Sequence, residues 1–367
     1  MRGYILRILV IALLICTVGI ISIYSSTFQK EARLWHLAYR RQIFWVLLGI
    51  LVFIGLSNLN YRRLWDMAYL LYIFGLCLLL LVFILGVVRL GAQRWLRLAW
   101  FNFQPSEAIK LIMIIFLARY FSRRSTQSIS SNAFQGGVFR SLLIPFLFTA
   151  LPVGLIVEQP DLGSGLMLIF IFIVILFLAP VRLKYLVIFF LMVLISLPLL
   201  WHFLRDYQKE RLLVFLNPDI DPLGAGYTVI QSKIAIGSGG IFGKGWLSGT
   251  QGQLHFLPEA HTDFIFASFA EEWGLFGCSI VLLLYYLLIK QGISIALRTN
   301  EQFGRLLAFG ITLMLATQVF INIAMTLGFA PVVGLPLPLM SYGGSSVLTT
   351  FMDLGILANI YKTRGVF

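Results

Sequence analysis

The sequence predicts an all-α polytopic membrane protein with about ten transmembrane helices. Apolar residues make up 59% of the 367 residues and charged residues only 12%, and the mean hydropathy is +0.92. This composition is typical of a chain whose main solvent is lipid. The apolar residues also fall into separate runs, each long enough to cross a hydrocarbon core of roughly 30 Å as a helix.

The predicted spans follow the apolar runs in chain order. The first run comes after Arg2 and Arg7, as in a signal peptide, but it is too long, lacks a small-residue cleavage site and precedes many similar runs. We therefore interpret it as a span. The ten segments lie near residues 4–25, 42–58, 65–88, 106–122, 141–157, 163–181, 185–204, 263–290, 303–328 and 341–361.

The positions of Lys and Arg predict that both termini are cytoplasmic. Most basic residues of the short loops collect on the side of the N-terminus, in small groups near residues 2–7, 62–63, 119–140, 182–184, 290–305 and 362–364. These groups lack the aromatic-interleaved basic face of nucleic-acid readers, so the net charge of +13 predicts no nucleic-acid partner. Most acidic residues then face outward, which favours an outward-facing polar cavity.

The chain is predicted to be a single integral membrane domain, 1–367, with one long extracytoplasmic loop. This loop covers about residues 205–262, between spans seven and eight, and is too apolar for a solvated linker. Residues 227–240 are interpreted as a short interfacial segment. The glycine-dense part that follows either approaches a ligand closely or is simply a flexible loop.

The segment PEAHTDFIFASFAEE, residues 258–272, places His261 and Asp263 at the threshold of the eighth span. A carboxylate where a chain enters lipid is expensive to keep ionised, so it indicates a functional site by default. In the structural alternative, His261 only caps the span and Asp263 only starts the helix. Both interpretations remain open at the level of the residues.

A second group opens the fourth span, in GAQRWLRLAWFNFQPSEAIK, residues 91–110. Glu107 and Lys110 are three residues apart and project to one helix face. They form either a local ion pair or, with Arg94 of the preceding outer loop, a patch that binds a diphosphate. Trp95 is suited to the interface or to stacking on a sugar.

Two further outer segments contribute candidates. EQPDLGSG, residues 158–165, is either a polar turn or a carboxylate source for Mg²⁺ or Mn²⁺, and the candidate metal ligands are Glu107, Asp161 and Asp263. The uncharged segment GFAPVVGLPLPLMSYGGSS, residues 328–346, is rich in Pro and Gly. Irregular backbone at membrane depth must be buried in protein or line a cavity, so we expect this segment to wall the site.

Six motifs in this order resemble the shape, elongation, division and sporulation (SEDS) family across essentially the whole chain. They are GAQRW, QPSEAIK, EQPDLGSG, IQSKIAIGSGG, PEAHTDFIFASFAEE and GLPLPLMSYGGSS. The stretch GKGWLSGTQGQLHFLPEAHTDFIF is similar to the RodA elongation branch. By this resemblance the essential aspartate of the family corresponds to Asp263, its glutamate and lysine to Glu107 and Lys110, its tryptophan to Trp95 and its PDLG aspartate to Asp161.

The resemblance implies a peptidoglycan glycosyltransferase in the bacterial cytoplasmic (inner) membrane. It would polymerise lipid II on the outer side during cell elongation and rod-shape maintenance and release undecaprenyl diphosphate. The implied partners are a class B penicillin-binding protein, the elongation machinery, lipid II with undecaprenyl-linked glycan, and membrane lipids. The only cofactor predicted from the sequence is a divalent cation, Mg²⁺ or Mn²⁺.

The chemistry assigns roles to these residues. Asp263 is the predicted base, and the predicted substrate-binding residues are Arg94, Trp95, Glu107, Lys110, Asp161, Glu259, His261, Ser341 and Tyr342. Two alternatives belong to other classes: a transporter that flips lipid II and a scaffold that only recruits the crosslinking enzyme. The chain lacks the corresponding halves of many transporters, since its charged motifs differ and its long loop occurs once.

Overall fold

The structure is a computed structural model that describes residues 2–28, 37–89, 92–98, 101–126, 139–179, 181–222, 224, 226–254 and 256–363. Residues 29–36 of the predicted first outer loop and the predicted cytoplasmic residue Arg364 lie outside the described residues. The helices are α1 Arg2–Thr27, α2 Ala38–Asn58, α3 Arg62–Leu85, α4 Pro105–Thr126, α5 Ile144–Glu158, α6 Leu162–Leu178, α7 Leu183–Phe203, α8 Asp206–Leu216, α9 Tyr227–Gly239, α10 Thr250–Gln253, α11 Ile265–Leu297, α12 Gln302–Leu327 and α13 Gly344–Thr363.

Each of the ten predicted segments contains a long helix, and several of these helices have the length and composition of a membrane span. Within the described residues, six pass both criteria: α1 from Gly3, α2, α3, Phe139–Glu158 including α5, α11 and α12. Two more apolar helices, Leu162–Leu178 and Leu183–Ser196, are shorter. The protein is thus a helical membrane protein, while the count of ten spans stays a prediction.

A small antiparallel sheet corrects the all-α prediction. Strands β1 Gly86–Arg89, β2 Ala92–Leu98 and β3 Phe101–Phe103 pair in the order β1-β2-β3, with Val87 opposite Trp95. The Gln93 amide donates to the carbonyl oxygens of Val82 and Gly86, both at 3.0 Å, and so joins β2 to the end of α3. The strands were missed because such short runs show too little alternation to be distinguished from an interfacial loop.

The described chain divides into two compact units. The first unit comprises Met1–Leu51, Leu204–Lys290 and Leu315–Thr350, and the second comprises Val52–Phe203, Gln291–Met314 and Phe351–Phe367. Several long helices, such as α2 and α12, contribute residues to both units. The prediction of a single integral membrane domain is not tested by this division and stays a prediction.

In the first unit, much of the long loop is helical, because α8, α9 and α10 lie within residues 205–262. The segment predicted to be interfacial is α9. Its Ser232 is buried and donates to the carbonyl oxygen of Thr326 on α12 at 2.7 Å. A buried apolar cluster of Ala235, Leu257, Ala260, Phe264 and Ala267 joins α9 to the start of α11. The loop is therefore packed into the protein fold.

In the second unit, aromatic side chains pack α3, α4 and α5 together. The rings of Tyr72 and Phe116 stack at 4.5 Å, and Phe148 packs at 5.0 Å from Phe116. Before α3, the Tyr61 hydroxyl donates to Glu301 at 2.7 Å. Burial, together with this hydrogen bond, raises the pKa of Tyr61 above its usual value of 10.0, so the phenol stays protonated as a donor.

Candidate functional site

The predicted site residues fall into two groups, one in each unit. The first unit holds the residues of the PEAHTDF and MSYGG segments: Glu259, His261, Asp263, Ser341 and Tyr342. The second unit holds those of the QRW, QPSEAIK and PDLG segments: Arg94, Trp95, Glu107, Lys110 and Asp161. All ten positions are described by the structure.

Asp263 is half-buried in the turn that precedes α11. Its backbone carbonyl accepts a hydrogen bond at 2.9 Å from the side-chain amide of Asn322, which also donates to the carbonyl of Leu335 at 2.7 Å. One amide of α12 therefore holds both the Asp263 turn and the segment before α13. Asn322 was missed from the sequence, although a polar amide inside an apolar helix is itself a signal of such a role.

The carboxylate of Asp263 faces the Pro- and Gly-rich segment. A Cβ atom placed on Gly334 would lie 3.5 Å from Oδ2 of Asp263, and Gly334 has a φ of 72°, a conformation that favours glycine. The side chains of Leu335, Leu337, Leu339 and Met340 in this segment are all buried. The segment thus walls Asp263 with irregular backbone that is buried in protein.

Ser341 and Tyr342 lock the same turn through the backbone. The buried Ser341 hydroxyl donates to the carbonyl of Thr262 at 2.6 Å and accepts from the amide of Leu337 at 2.8 Å. The Tyr342 amide donates to the carbonyl of His261 at 3.0 Å, and the two rings lie 5.9 Å apart. These contacts position Asp263, and a direct role for Ser341, Tyr342 or His261 in binding substrate stays a prediction.

Glu259 adopts an uncommon conformation in this turn. Its φ is 51°, and its carbonyl accepts hydrogen bonds from the amides of Thr262 and Phe264. Its carboxylate accepts from the Thr262 hydroxyl at 2.8 Å. A non-glycine residue in the left-handed region is costly and persists when the surrounding structure fixes it. The hydrogen bonds of Thr262 supply that restraint.

In the second unit, Glu107 and Lys110 form the predicted ion pair, and it is buried. The Lys110 ammonium lies 2.7 Å from Oε1 of Glu107, and their side chains are 2% and 4% exposed. Asp353 of α13 is also buried and has Lys110 and Glu107 as its charged neighbours. Exposed pairs contribute little to stability, but removing one member of a buried pair leaves a charge uncompensated.

Asp161 connects three elements of the second unit. Its carboxylate caps α6 by accepting from the Ser164 amide at 3.3 Å, and it accepts from the Ser106 hydroxyl at 3.0 Å and the Gln104 amide at 3.3 Å. Arg94 of β2 lies 3.9 Å away. Asp161 thus joins β2, α4 and α6.

Arg94 is itself fixed by the turn before α6. It donates to the carbonyl oxygens of Gln159 and Pro160. Successive side chains of a strand point to opposite faces, so half-buried Trp95 projects away from Arg94 on β2. The two residues therefore cannot contact one ligand from the same face of the strand.

The sequence predicted Glu107, Asp161 and Asp263 as candidate ligands of Mg²⁺ or Mn²⁺. No group of three or more His, Cys, Asp and Glu side chains that could hold a metal occurs among the described residues. Glu107 is paired with Lys110, and Asp161 is occupied by its cap and by Ser106 and Gln104. The involvement of Mg²⁺ or Mn²⁺ therefore stays a prediction, and no chemical step is assigned to it.

The family of FtsW, RodA and SpoVE cell cycle proteins matches residues 6–365. The chain belongs to this family. The match confirms the resemblance that the six motifs indicated, and it spans the turn of Asp263 as well as the pair of Glu107 and Lys110. The FtsW/RodA/SpoVE family is bacterial in every relative described below.

Relatives of this FtsW/RodA/SpoVE member include proteins named MrdB and FtsW. The peptidoglycan glycosyltransferase MrdB of Escherichia coli strain K12 is 46% identical over 280 residues, which cover 76% of this chain and 73% of the relative. The probable peptidoglycan glycosyltransferase FtsW of Geobacter sulfurreducens is 37% identical over 365 residues, covering 97% and 95%. The higher identity to MrdB agrees with the RodA-type motifs.

Solved structures of the family share this fold. One, described as the structural coordination of polymerization and crosslinking by a peptidoglycan synthase complex, gives a TM-score of 0.80 at 32% identity and covers 98% of this chain and 97% of its own. The rod shape determining protein RodA of Thermus thermophilus gives 0.70 at 30% identity, covering 98% and 96%. The helical membrane fold is therefore that of RodA.

Proposed function

We propose that this protein is a peptidoglycan glycosyltransferase that polymerises lipid II during cell elongation and rod-shape maintenance. Among the curated relatives, MrdB is named a peptidoglycan glycosyltransferase and FtsW a probable peptidoglycan glycosyltransferase. The observation that carries the proposal in this chain is the half-buried carboxylate of Asp263, held in a fixed turn by Asn322 and faced by Gly334. Its placement suits a general base.

The reaction joins two lipid-linked sugars. The 4-hydroxyl of the acceptor lipid II attacks the anomeric carbon of the donor, a C–O bond forms there, and the bond from that carbon to the diphosphate breaks. Asp263 takes the hydroxyl proton as the new bond forms, since a positioned base lowers the barrier to such an attack. Undecaprenyl diphosphate leaves with the electrons of the broken bond.

The leaving diphosphate requires positive charge. Lys110 is a buried cation of the second unit, and it is already oriented by Glu107 at 2.7 Å. A cation fixed in advance in a water-poor environment stabilises developing negative charge more than a mobile surface lysine does. Lys110 and Arg94 therefore bind the donor diphosphate, with Glu107 and Asp161 as the carboxylates that orient them.

The protein acts in the bacterial cytoplasmic membrane, with its reacting groups on the outer side. Lipid II polymerisation supplies strands for crosslinking, so a class B penicillin-binding protein is its partner. The solved complex in which polymerization and crosslinking are coordinated supports this assignment. The wider elongation machinery completes the set of partners.

The test compares wild type with Asp263→Asn in the presence of the crosslinking partner. Both are reconstituted in liposomes with labelled lipid II, and glycan length and rate are measured. We expect the variant to lose activity by about 10²–10⁴-fold, because the amide keeps the shape and removes the basicity. Asn322→Asp removes the side-chain amide that holds the turn but leaves the Asp263 carboxylate in place in the sequence. It therefore separates the effect of positioning Asp263 from the effect of proton transfer.

Polymerisation by Asp263→Asn at the wild-type rate would exclude Asp263 as the base. Transfer of labelled lipid II across the bilayer without any polymer, from a folded wild-type complex, would favour the transporter alternative. Complex formation without polymer or transfer would favour the scaffold. Thermal unfolding of each variant shows whether it is folded before activity is compared.

A further inference from the structure

A small polar cavity in the first unit is not used by the proposed reaction. It lies where α1, α10 and the first part of α11 meet, and it has space for about one water molecule. The polar side chains that line it are Ser22, Ser26, Gln253, Ser268, Glu271 and Glu272. All of them are buried.

The hydroxyl groups of this cavity present oxygen lone pairs to it. Ser22 donates its proton to the carbonyl of Val18 at 2.9 Å, Ser26 to that of Ile23 at 3.2 Å, and Ser268 to that of Ala260 at 3.3 Å. A hydroxyl whose proton is committed to the backbone can act toward a ligand only as an acceptor. The cavity therefore offers three neutral oxygen ligands in addition to its carboxylates.

The two carboxylates leave one negative charge without a cationic partner. Glu271 is paired with Lys244 at 2.7 Å. Glu272 accepts hydrogen bonds from the Ser25 hydroxyl and the Leu247 amide, and no salt bridge to it occurs within the described residues. A buried charge is costly unless it is compensated. One monovalent cation would balance the excess charge of the cavity.

Gln253 supplies an independent sign of a ligand. Its buried Nε2 atom has no hydrogen-bond partner among the described residues. The oxygen and nitrogen of an amide are interchangeable by a rotation of the group, and the choice rests on the hydrogen-bond network. The rotated amide places its oxygen where the orphaned nitrogen stood, and it breaks no side-chain hydrogen bond described for Gln253. The cavity gains a further oxygen ligand.

We propose that this cavity is a binding site for one alkali cation, Na⁺ in the first place, coordinated by oxygens of Ser22, Ser26, Ser268, Gln253 and Glu272. The size of the cavity, the oxygen atoms of its polar side chains and the single excess charge all fit such an ion. A divalent cation would exceed the single uncompensated negative charge, and Mg²⁺ would also keep several water molecules for which this small cavity has no space. The bound ion connects α1 to the helix that follows Asp263.

The test measures binding by the purified full-length chain in detergent. Radiolabelled sodium binding is followed together with the thermal unfolding midpoint in NaCl, KCl and N-methylglucamine chloride at equal ionic strength. We expect saturable binding of about one ion per chain, and a midpoint that rises with the logarithm of the Na⁺ concentration above the Kd. Comparing the unfolding midpoint in KCl with that in NaCl shows which of the two alkali ions the cavity prefers.

Variants of the lining separate the ion from general stability. Gly252→Ala adds a methyl group 3.5 Å from the Ser268 hydroxyl, an ordinary contact that fills the cavity without changing its charge. Ser268→Ala removes one ligand, and Glu272→Gln removes the excess charge. We expect each to lose saturable sodium binding and the Na⁺-dependent rise of the midpoint. Glu272→Gln is the most severe change, and the other two variants keep the test valid if it fails to fold.

The matched control is Ser279→Ala. Ser279 lies on the same helix, is exposed and donates to the carbonyl of Leu275 at 2.8 Å, as the cavity serines donate to their own backbone partners. This variant should bind sodium as wild type does. Equal midpoints in all three salts without saturable binding would overturn the proposal and leave a water molecule in the cavity. Stabilisation by Mg²⁺ but by neither alkali ion would also overturn it.

Discussion

Lys110 shows how burial changes the meaning of a familiar side-chain pair. At a spacing of three residues, Glu107 and Lys110 could have formed an ordinary exposed pair at a helix start, which contributes little to stability. In the structure both are buried, and Asp353 is a second carboxylate near the ammonium. Glu107, Lys110 and Asp353 are therefore three ionisable groups removed from water, and removing any one of them changes the charge balance of the other two.

At this scale we predict that Lys110→Met lowers stability by about 3–5 kcal/mol, because it leaves Glu107 buried without its partner. Adding Glu107→Gln to Lys110→Met should restore part of the loss, since the uncompensated charge is then gone. Thermal unfolding of the two single variants and the double variant measures this. In activity assays with its crosslinking partner, Lys110→Met should also weaken the apparent affinity for lipid II.

Lys362→Met is the matched control for the Lys110 and Glu107 variants. Lys362 is exposed and donates to the side chain of Asn58 at 2.8 Å, so its removal should change stability by less than about 1 kcal/mol. If the double variant is no more stable than Lys110→Met, and its loss of stability is the sum of the two single losses, then Glu107 and Lys110 are not coupled. An unchanged affinity for lipid II would exclude Lys110 as a diphosphate contact.

At the scale of elements, α11 is interrupted soon after Asp263. Gly274 has φ 61° and ψ −164°, a conformation outside the helical region that is essentially restricted to glycine. The interruption exposes the carbonyls of Glu271 and Glu272, which accept from the amides of Lys244 and Gly245, both at 3.0 Å. The amides of Leu275 and Phe276 donate to the carbonyls of Gly240 and Ile241 at 2.9 and 3.0 Å, so four backbone groups beside the break find partners in residues 240–245.

The side chain of Glu271 strengthens the same junction. It has no exposed surface, pairs with Lys244 at 2.7 Å and accepts from the Thr250 amide at 2.8 Å and the Gln251 amide at 3.1 Å. The glycine-rich loop is therefore ordered by contacts with α11. Whether the loop also approaches a ligand stays a prediction.

We predict that Gly274→Ala releases this loop from α11. A Cβ atom there would collide with the backbone at Gly243 and would lie 2.6 Å from the carbonyl oxygen of Ile241, in addition to the strain of a positive φ. We expect a lower unfolding midpoint and faster cleavage by trypsin after Lys244, whose backbone amide is protected in the wild type. Mass spectrometry of the fragments measures this cleavage.

Gly237→Ala is the control for the interrupted helix. Gly237 lies in α9, and a Cβ atom there meets nothing within 4 Å. It should leave both the midpoint and the cleavage rate at wild-type values. If Gly274→Ala is digested no faster than Gly237→Ala, the interruption does not hold the loop.

At the scale of the whole molecule, the charges of the loops, and not the fold, set the orientation of the chain in the membrane. The helices define where the chain can cross lipid, and the distribution of Lys and Arg decides which ends remain in the cytoplasm. The proposed reaction requires Asp263 and the loop before it to lie outside. Orientation and function are therefore tested together.

We predict that Ser248→Cys is labelled from outside and Asn300→Cys from inside. Both positions are exposed, one in the loop before α11 and the other in the turn before α12. A membrane-impermeant maleimide should label Ser248→Cys in right-side-out vesicles and Asn300→Cys only in inside-out vesicles. The unmodified protein, whose Cys16 and Cys278 are buried and whose Cys77 is exposed in the apolar helix α3, gives the background. The reverse pattern would invert the topology and remove Asp263 from the outer side.

The sequence alone determined the helical membrane fold, the family and the identity of the motif residues. It could do so because lipid leaves a backbone few options, so that long apolar runs must become helices. The ion pair of Glu107 and Lys110 was also accessible, since helical spacing puts both on one face. Ordered motifs such as HTDF and QPSE supplied the family where physical argument alone left alternatives open.

Only the tertiary structure decided how these residues are held. Asn322 reaches Asp263 across 59 positions of the chain, Asp353 approaches a pair in α4, and the break at Gly274 is filled by residues 240–245. Such contacts depend on which helices pack together, and local periodicity carries no information about that choice. The short β1–β3 sheet was missed for the same reason, because its strands are specified mainly by their pairing with each other.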